Sequence, residues 1–165
     1  MKTGTKKQKR AYRAISELEI MKDLKAYHPV LCGTIPIDID IESSDLDIVM
    51  EVNDAEAFET KIRNLYSSKD SFKVKRTTIR GNEIIKATFV FQHFEFELFG
   101  QAQPVHTQFA FLHMVIEFEL MKKYPGLKDG VIELKKQGYK TEPAFCKLLE
   151  IEGDPYEGLI RSAFA

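Results

Sequence analysis

The chain has 165 residues, with 24 Lys plus Arg against 25 Asp plus Glu and a formal net charge of −1. A general nucleic-acid binder needs a basic excess to neutralise phosphates, so none is expected here. At 44% hydrophobic and 30% charged residues the chain is neither disordered nor membrane-embedded, and its length suits one domain that needs no disulfide or structural metal to hold a core.

The first ten residues, Met1 to Arg10, are polar and basic and are expected to fray. From about Lys7 to Ala26 the apolar residues Tyr12, Ile15, Leu18, Met21 and Leu24 recur at helical spacing, up to Pro29. Val30 to Cys32 reads as a short buried strand ended by Gly33. Residues 34–44 form a loop in which Ile35, Ile37, Ile39 and Ile41 alternate with Pro36, Asp38 and Asp40. Asp45 to Val52 reads as a strand. Asp54 then caps a helix to about Tyr66, with Phe58, Ile62 and Leu65 on its apolar face. Phe72 to Ile79 and Glu83 to Phe99 are strand-rich, and Arg80-Gly81-Asn82 supplies a hairpin turn. This order predicts a mixed sheet with helices on one side.

The remainder reads as helical. Val105 to Tyr124 is apolar nearly all round, which predicts a helix buried centrally. Helices over Leu127 to Gln137, from Thr141, and over about Pro155 to Ala163 follow. The fold class is therefore α+β, one domain over 1–165 with a sheet half (about 1–103) and a helical half (about 104–165). Cys32 and Cys146 lack the spacing of a disulfide framework or a zinc site and read as buried, reduced thiols. No apolar signal segment or transmembrane-length run is present. A cytoplasmic location is expected.

Asp45 and Asp47 carry the chemistry. Two apart on a strand, they point to one face, with Cα atoms roughly 6.5–7 Å apart. Both can reach one Mg²⁺ whose oxygen ligands lie at about 2.1 Å. Leu46, Ile48 and Met50 point the other way, into the core. Glu95 and Glu97 in the run Phe94 to Phe99 repeat the alternation. If that strand pairs with the Asp45 strand, one of these glutamates completes a three-carboxylate site able to hold nucleotide-binding ions.

Gly33-Thr34 after a buried strand, then Ser44-Asp45-Leu46-Asp47-Ile48, then Glu97 or Glu95, resembles the signature of the nucleotidyltransferase superfamily, the polymerase-beta-like fold. Gly33 to Ile37, Glu97 to Gln101, Lys140 to Phe145 and Gly153 to Tyr156 are similar to a small bacterial family of unknown function within it. The resemblance implies Mg²⁺-dependent (or Mn²⁺-dependent) transfer of a nucleoside monophosphate from ATP or another nucleoside triphosphate. It leaves the acceptor open between a small molecule, an RNA end and a protein. It also implies that Asp45, Asp47 and Glu97 are catalytic and metal-binding, with Glu95 the other choice for the third acid. Gly33, Thr34 and Ser44 would bind the nucleotide, with the Gly33 and Thr34 amides on triphosphate oxygens. The alternative is a non-catalytic nucleotide-binding or regulatory module that keeps this fold.

Other groups have plainer readings. Asp38 and Asp40 read as loop-surface carboxylates. His113 and Glu117, four apart, read as a histidine held by a carboxylate, or as a polar rim of the cleft; His106 lies near the same stripe. Lys73, Lys75, Arg76, Arg80 and Lys86 read as a solvated strand face that could meet phosphate.

Overall fold

The computed structural model describes residues 1–79 and 81–163. Its frame is a five-stranded sheet in the order β1-β2-β5-β4-β3. These strands are β1 Val30–Cys32, β2 Leu46–Glu51, β3 Asp70–Ile79, β4 Asn82–Phe91 and β5 Phe94–Gln101. β2 and β5 are parallel, and every other neighbouring pair is antiparallel. The crossover between β2 and β5 contains α3, Ala55–Tyr66, and the β3–β4 hairpin. Asp54 caps α3 as expected, its Oδ1 accepting from the Ala57 amide at 3.0 Å.

Alternation along the strands sorts the side chains by face. Leu46, Ile48 and Met50 of β2, Phe96 and Leu98 of β5, and Ile85, Ala87 and Phe89 of β4 form one apolar face, each at most 1% exposed. Each large side chain buried this way contributes about 1.5–3 kcal/mol. α3 and α1, Lys6–Glu17, cover that face through Phe58, Ile62, Ala11 and Ala14. The helices of the sheet half lie on this face, whereas Val105, Phe111 and Met114 of the helical half pack on part of the other, against Cys32 and Val49. The other face stays partly open.

The helical half comprises α4 Phe109–Lys123, α5 Leu127–Lys136, α6 Thr141–Leu148 and α7 Pro155–Ala163. It has its own core around Ile116, Val131, Phe145 and Leu159. The isoleucine alternation joins the two halves. Ile35 packs into the sheet core and Ile39 into the helical core, both fully buried.

Four expectations need correction. The basic N-terminus does not fray from its start to Arg10. Thr5 and Gln8 form a capping box that starts α1 at Lys6, and Lys7 pairs with Asp40 at 3.3 Å. The helix does not continue to Ala26. It ends at Glu17, and Glu19 turns left-handed (φ 51) before a separate α2, Ile20–Asp23. The strand-rich run from Glu83 is two strands, joined at Gln92 and His93, both with positive φ as a type I′ turn requires. Finally, α4 is not buried all round. It buries His113, Ile116 and Glu117 and leaves Phe109, Val115 and Phe118 37–45% exposed. One side of it packs on α5 to α7 and another on β1 through Phe111 and Met114. Of its polar residues, His113 and Glu117 therefore turn inward, while Glu119 and Lys122 face solvent. Of the predicted hairpin turn, Arg80 lies outside the described residues; Ile79 pairs with Asn82 across it.

Candidate metal and nucleotide site

The open face of the sheet brings the sequence-selected acids together. β2 and β5 run side by side with Asp47 opposite Glu97, on strands about 4.8 Å apart. Asp45 immediately precedes β2 and shares the Asp47 face. One carboxylate oxygen from each of Asp45, Asp47 and Glu97 lies within 4.8 Å of the other two. Glu95, at the exposed start of the same strand, is outside this group. Three convergent carboxylate oxygens suit a hard cation such as Mg²⁺ or Mn²⁺. The strain of bringing them together is visible at Asp47. Burial, then the Asp45 and Glu97 charges, push its carboxyl up to about 7, although Lys86 opposes the shift. Lys86 Nζ pairs with Glu97 Oε2.

Gly33 is required by two independent constraints. Its φ is +78°, and a Cβ there would meet Asp47 Oδ2 at 2.2 Å. The glycine lets the backbone turn directly over the carboxylate. Thr34 Oγ1 donates to Ser44 Oγ at 3.3 Å, and Ser44 Oγ accepts from the Ile41 amide at 2.9 Å. These residues close the loop base beside Asp45. No helix begins after Gly33; residues 34–38 form turns whose Ile39 amide donates back to the Thr34 carbonyl. Cys32, beside Asp47 in register, is a buried thiol pushed up to about 12 by burial and by Asp47, so it is inert at neutral pH.

The trio sits in a cleft of about 960 Å³ whose far wall is helical. There His113 Nε2 lies 2.8 Å from the Tyr156 carbonyl, and Nδ1 lies 3.4 Å from Glu142 Oε1. The carbonyl can only accept, so Nε2 donates to it, and Nδ1 faces the Glu142 carboxylate. Burial raises the Glu142 carboxyl, but hydrogen bonds from His113 and from its own backbone amide hold it below the usual range. His113 is therefore held by Glu142, not by Glu117 as the spacing suggests, and His106 is exposed, outside α4. Glu117 is 3% exposed, its Oε1 has no hydrogen-bond partner among the described residues, and burial drives its carboxyl well up. Lys135 Nζ donates to the Ile39 carbonyl at 2.8 Å. Burial lowers its pKa against the pull of Glu117, Asp40, Glu142 and Asp45. The helical half thus puts the Lys135 ammonium and the His113–Glu142 pair across from the trio. Sequence reasoning gave Lys135, Lys140 and Glu142 no role in the site. The run Lys140 to Phe145 within the family resemblance was the signal available.

The hairpin cations divide by face. Lys75 stands opposite Lys86, and Lys73 opposite Thr88, so these lysines share the open face. Arg76 points to the helical layer, bound to Glu59 at 2.8 Å. The loop acids tie the loop down, the half-exposed Asp38 to Lys128 and the largely buried Asp40, not a surface group as expected, to Lys7.

Residues 13–162 match the family described as Domain of unknown function (DUF4269). The chain belongs to this family. No curated protein matches the chain. Among solved structures, the GLD-2/RNP-8 complex is 13% identical over 88% of this chain and 59% of that one, with a TM-score of 0.64. The Cid1 poly(U) polymerase with MgGTP bound is 15% identical over 79% and 42%, TM-score 0.58. A cytoplasmic RNA terminal U-transferase is 17% identical over 80% and 39%, TM-score 0.52. The chain spans 39–59% of the length of these neighbours. Identities this low speak to the fold alone. This DUF4269 member has the α+β nucleotidyltransferase fold. No helix among the described residues is long and apolar enough to cross a membrane.

Proposed function

We propose that the chain is a nucleotidyltransferase that moves a nucleoside monophosphate from ATP or another nucleoside triphosphate to an acceptor hydroxyl, with Mg²⁺ or Mn²⁺ held by Asp45, Asp47 and Glu97. The convergence of those three carboxylates on the open face of a nucleotidyltransferase sheet carries this reading. A bound divalent ion supplies charge neutralisation for the phosphates and makes the acceptor oxygen more acidic. The protein's own groups do the rest. Gly33 leaves room above Asp47, and the Thr34 and Ser44 hydroxyls and the Lys135 ammonium face the triphosphate oxygens. Glu97 accepts the acceptor's proton as the new O–P bond forms, while the bond to pyrophosphate breaks and pyrophosphate leaves. The two halves act as one domain, about 1–103 carrying the acids and about 104–165 closing the cleft. The setting is cytoplasmic, consistent with two buried free thiols.

One observation favours the second reading, a nucleotide-binding module without catalysis. The Gly33 turn is not followed by a helix, which leaves fewer free amides for a triphosphate. Pyrophosphate release separates the two. Pooled nucleoside triphosphates with candidate hydroxyl, RNA-end and protein acceptors should yield pyrophosphate with the wild type and none with Asp47→Asn. Nucleotide binding without release from any acceptor supports the module instead.

A further inference from the structure

The proposed reaction leaves Lys86 without a role, although it touches the trio. On β4, Thr88 stands opposite Glu97 and Lys86 opposite Phe99. Lys86 is therefore the diagonal neighbour of Glu97 on the open face, within reach of a long side chain. Its ammonium pairs with Glu97 Oε2. Lys75 lies directly across from it on β3, and like charges opposite one another repel, which presses Lys86 toward the acids. Three ionised carboxylates carry three negative charges. One divalent ion and one ammonium balance them, whereas two divalent ions and the ammonium overshoot.

We propose that Lys86 is a resident cation of the carboxylate trio, holding Glu97 in the nucleotide-free protein and limiting the site to a single divalent ion on Asp45 and Asp47. Lys86 has this role only if the trio is a metal site, as proposed above. It is a positioning residue: it fixes where Glu97 points and how many ions the empty cleft accepts. A triphosphate would add the negative charge that makes a second ion acceptable.

Titration of the full chain with Mn²⁺ alone, followed by calorimetry and by the electron paramagnetic resonance of free Mn²⁺, reads the count directly. The wild type is expected to bind one ion per chain and Lys86→Met two. The first ion should bind roughly tenfold or more tightly once a unit charge a few ångströms away is gone. Lys86→Arg, which keeps the charge, should still bind one. Two ions on the wild type, or an unchanged number and Kd in Lys86→Met, overturns the role of Lys86 and leaves the metal site standing. If neither protein binds Mn²⁺ while both keep native circular dichroism, the metal-site reading fails, and the role of Lys86 with it.

Discussion

The two walls of the cleft are built by opposite means. The sheet wall places its acids by backbone register: parallel pairing sets Asp47 beside Glu97, and alternation sends Leu46, Ile48 and Leu98 to the other side. The helical wall places its polar groups by packing. α4 is apolar along most of its length, yet it turns His113 and Glu117 inward and leaves Val115 and Phe118 exposed. On the sheet, polar groups share a solvent-facing surface with little desolvation beyond Asp47. On the helices burial is deeper: His113 is held by Glu142 and the Tyr156 carbonyl, and Glu117 Oε1 has no hydrogen-bond partner among the described residues. The sheet wall can therefore be tuned for a ligand, while His113 and Glu142 of the helical wall are tied to the fold.

Substitutions should separate the walls. Asp47→Asn is expected to have the largest effect, a loss of pyrophosphate release of roughly 10²–10³-fold or more, with the fold intact by circular dichroism. A comparable loss from Glu142→Gln with unchanged Mn²⁺ affinity would move the chemistry to the helical wall.

The pH dependence of the metal-free protein comes next. Asp47 is raised from 3.8 to about 7, so between those values the folded state binds more protons than the unfolded state. Stability conferred by the protonated carboxyl is present below about 4 and falls as pH rises through about 7, by roughly 2–4 kcal/mol in total. Urea unfolding at a series of pH values should show the decline. Asp47→Asn should flatten it and be more stable than the wild type at pH 8, and Mg²⁺ should stabilise the wild type more at pH 8 than at pH 5. Wild-type stability that rises over this range would contradict the geometry at Asp47.

Gly33→Ala follows. A left-handed alanine whose Cβ falls on the Asp47 carboxylate should cost about 1–3 kcal/mol in thermal unfolding and weaken Mn²⁺ binding. Unchanged Mn²⁺ affinity would uncouple the turn from the trio. Glu142→Gln should have the smallest effect, a loss of about 1–2 kcal/mol from the weakened His113 pair, with Mn²⁺ binding unchanged.

The same contrast explains what could be read from the sequence. Strands β1 and β2, the Asp54 cap, α5 to α7 and the acid positions follow local rules of period and capping, and they stand close to where the residues alone place them. The β4–β5 turn was hidden because Gln92-His93 lacks the Asn-Gly type of signature. The end of α1 was hidden because Glu19 adopts positive φ without a glycine. The inward polar side of α4 was invisible to hydrophobic periodicity, since a nearly all-apolar helix shows no preferred face. Lys135 and Glu142 come from helices far along the chain, and only tertiary packing brings them to the cleft. The isoleucine alternation of residues 35–41 lies in a loop, as expected, and local rules gave no sign that it serves two different cores.

The most direct test of the site is diffraction from crystals of the full chain soaked in Mn²⁺ with a non-hydrolysable nucleoside triphosphate. An anomalous Mn²⁺ peak within about 2.2 Å of oxygens from Asp45 and Asp47, with the triphosphate entering from the Gly33 turn, is the predicted result. A triphosphate bound with no metal at these acids, or Mn²⁺ bound elsewhere in the cleft, would contradict it.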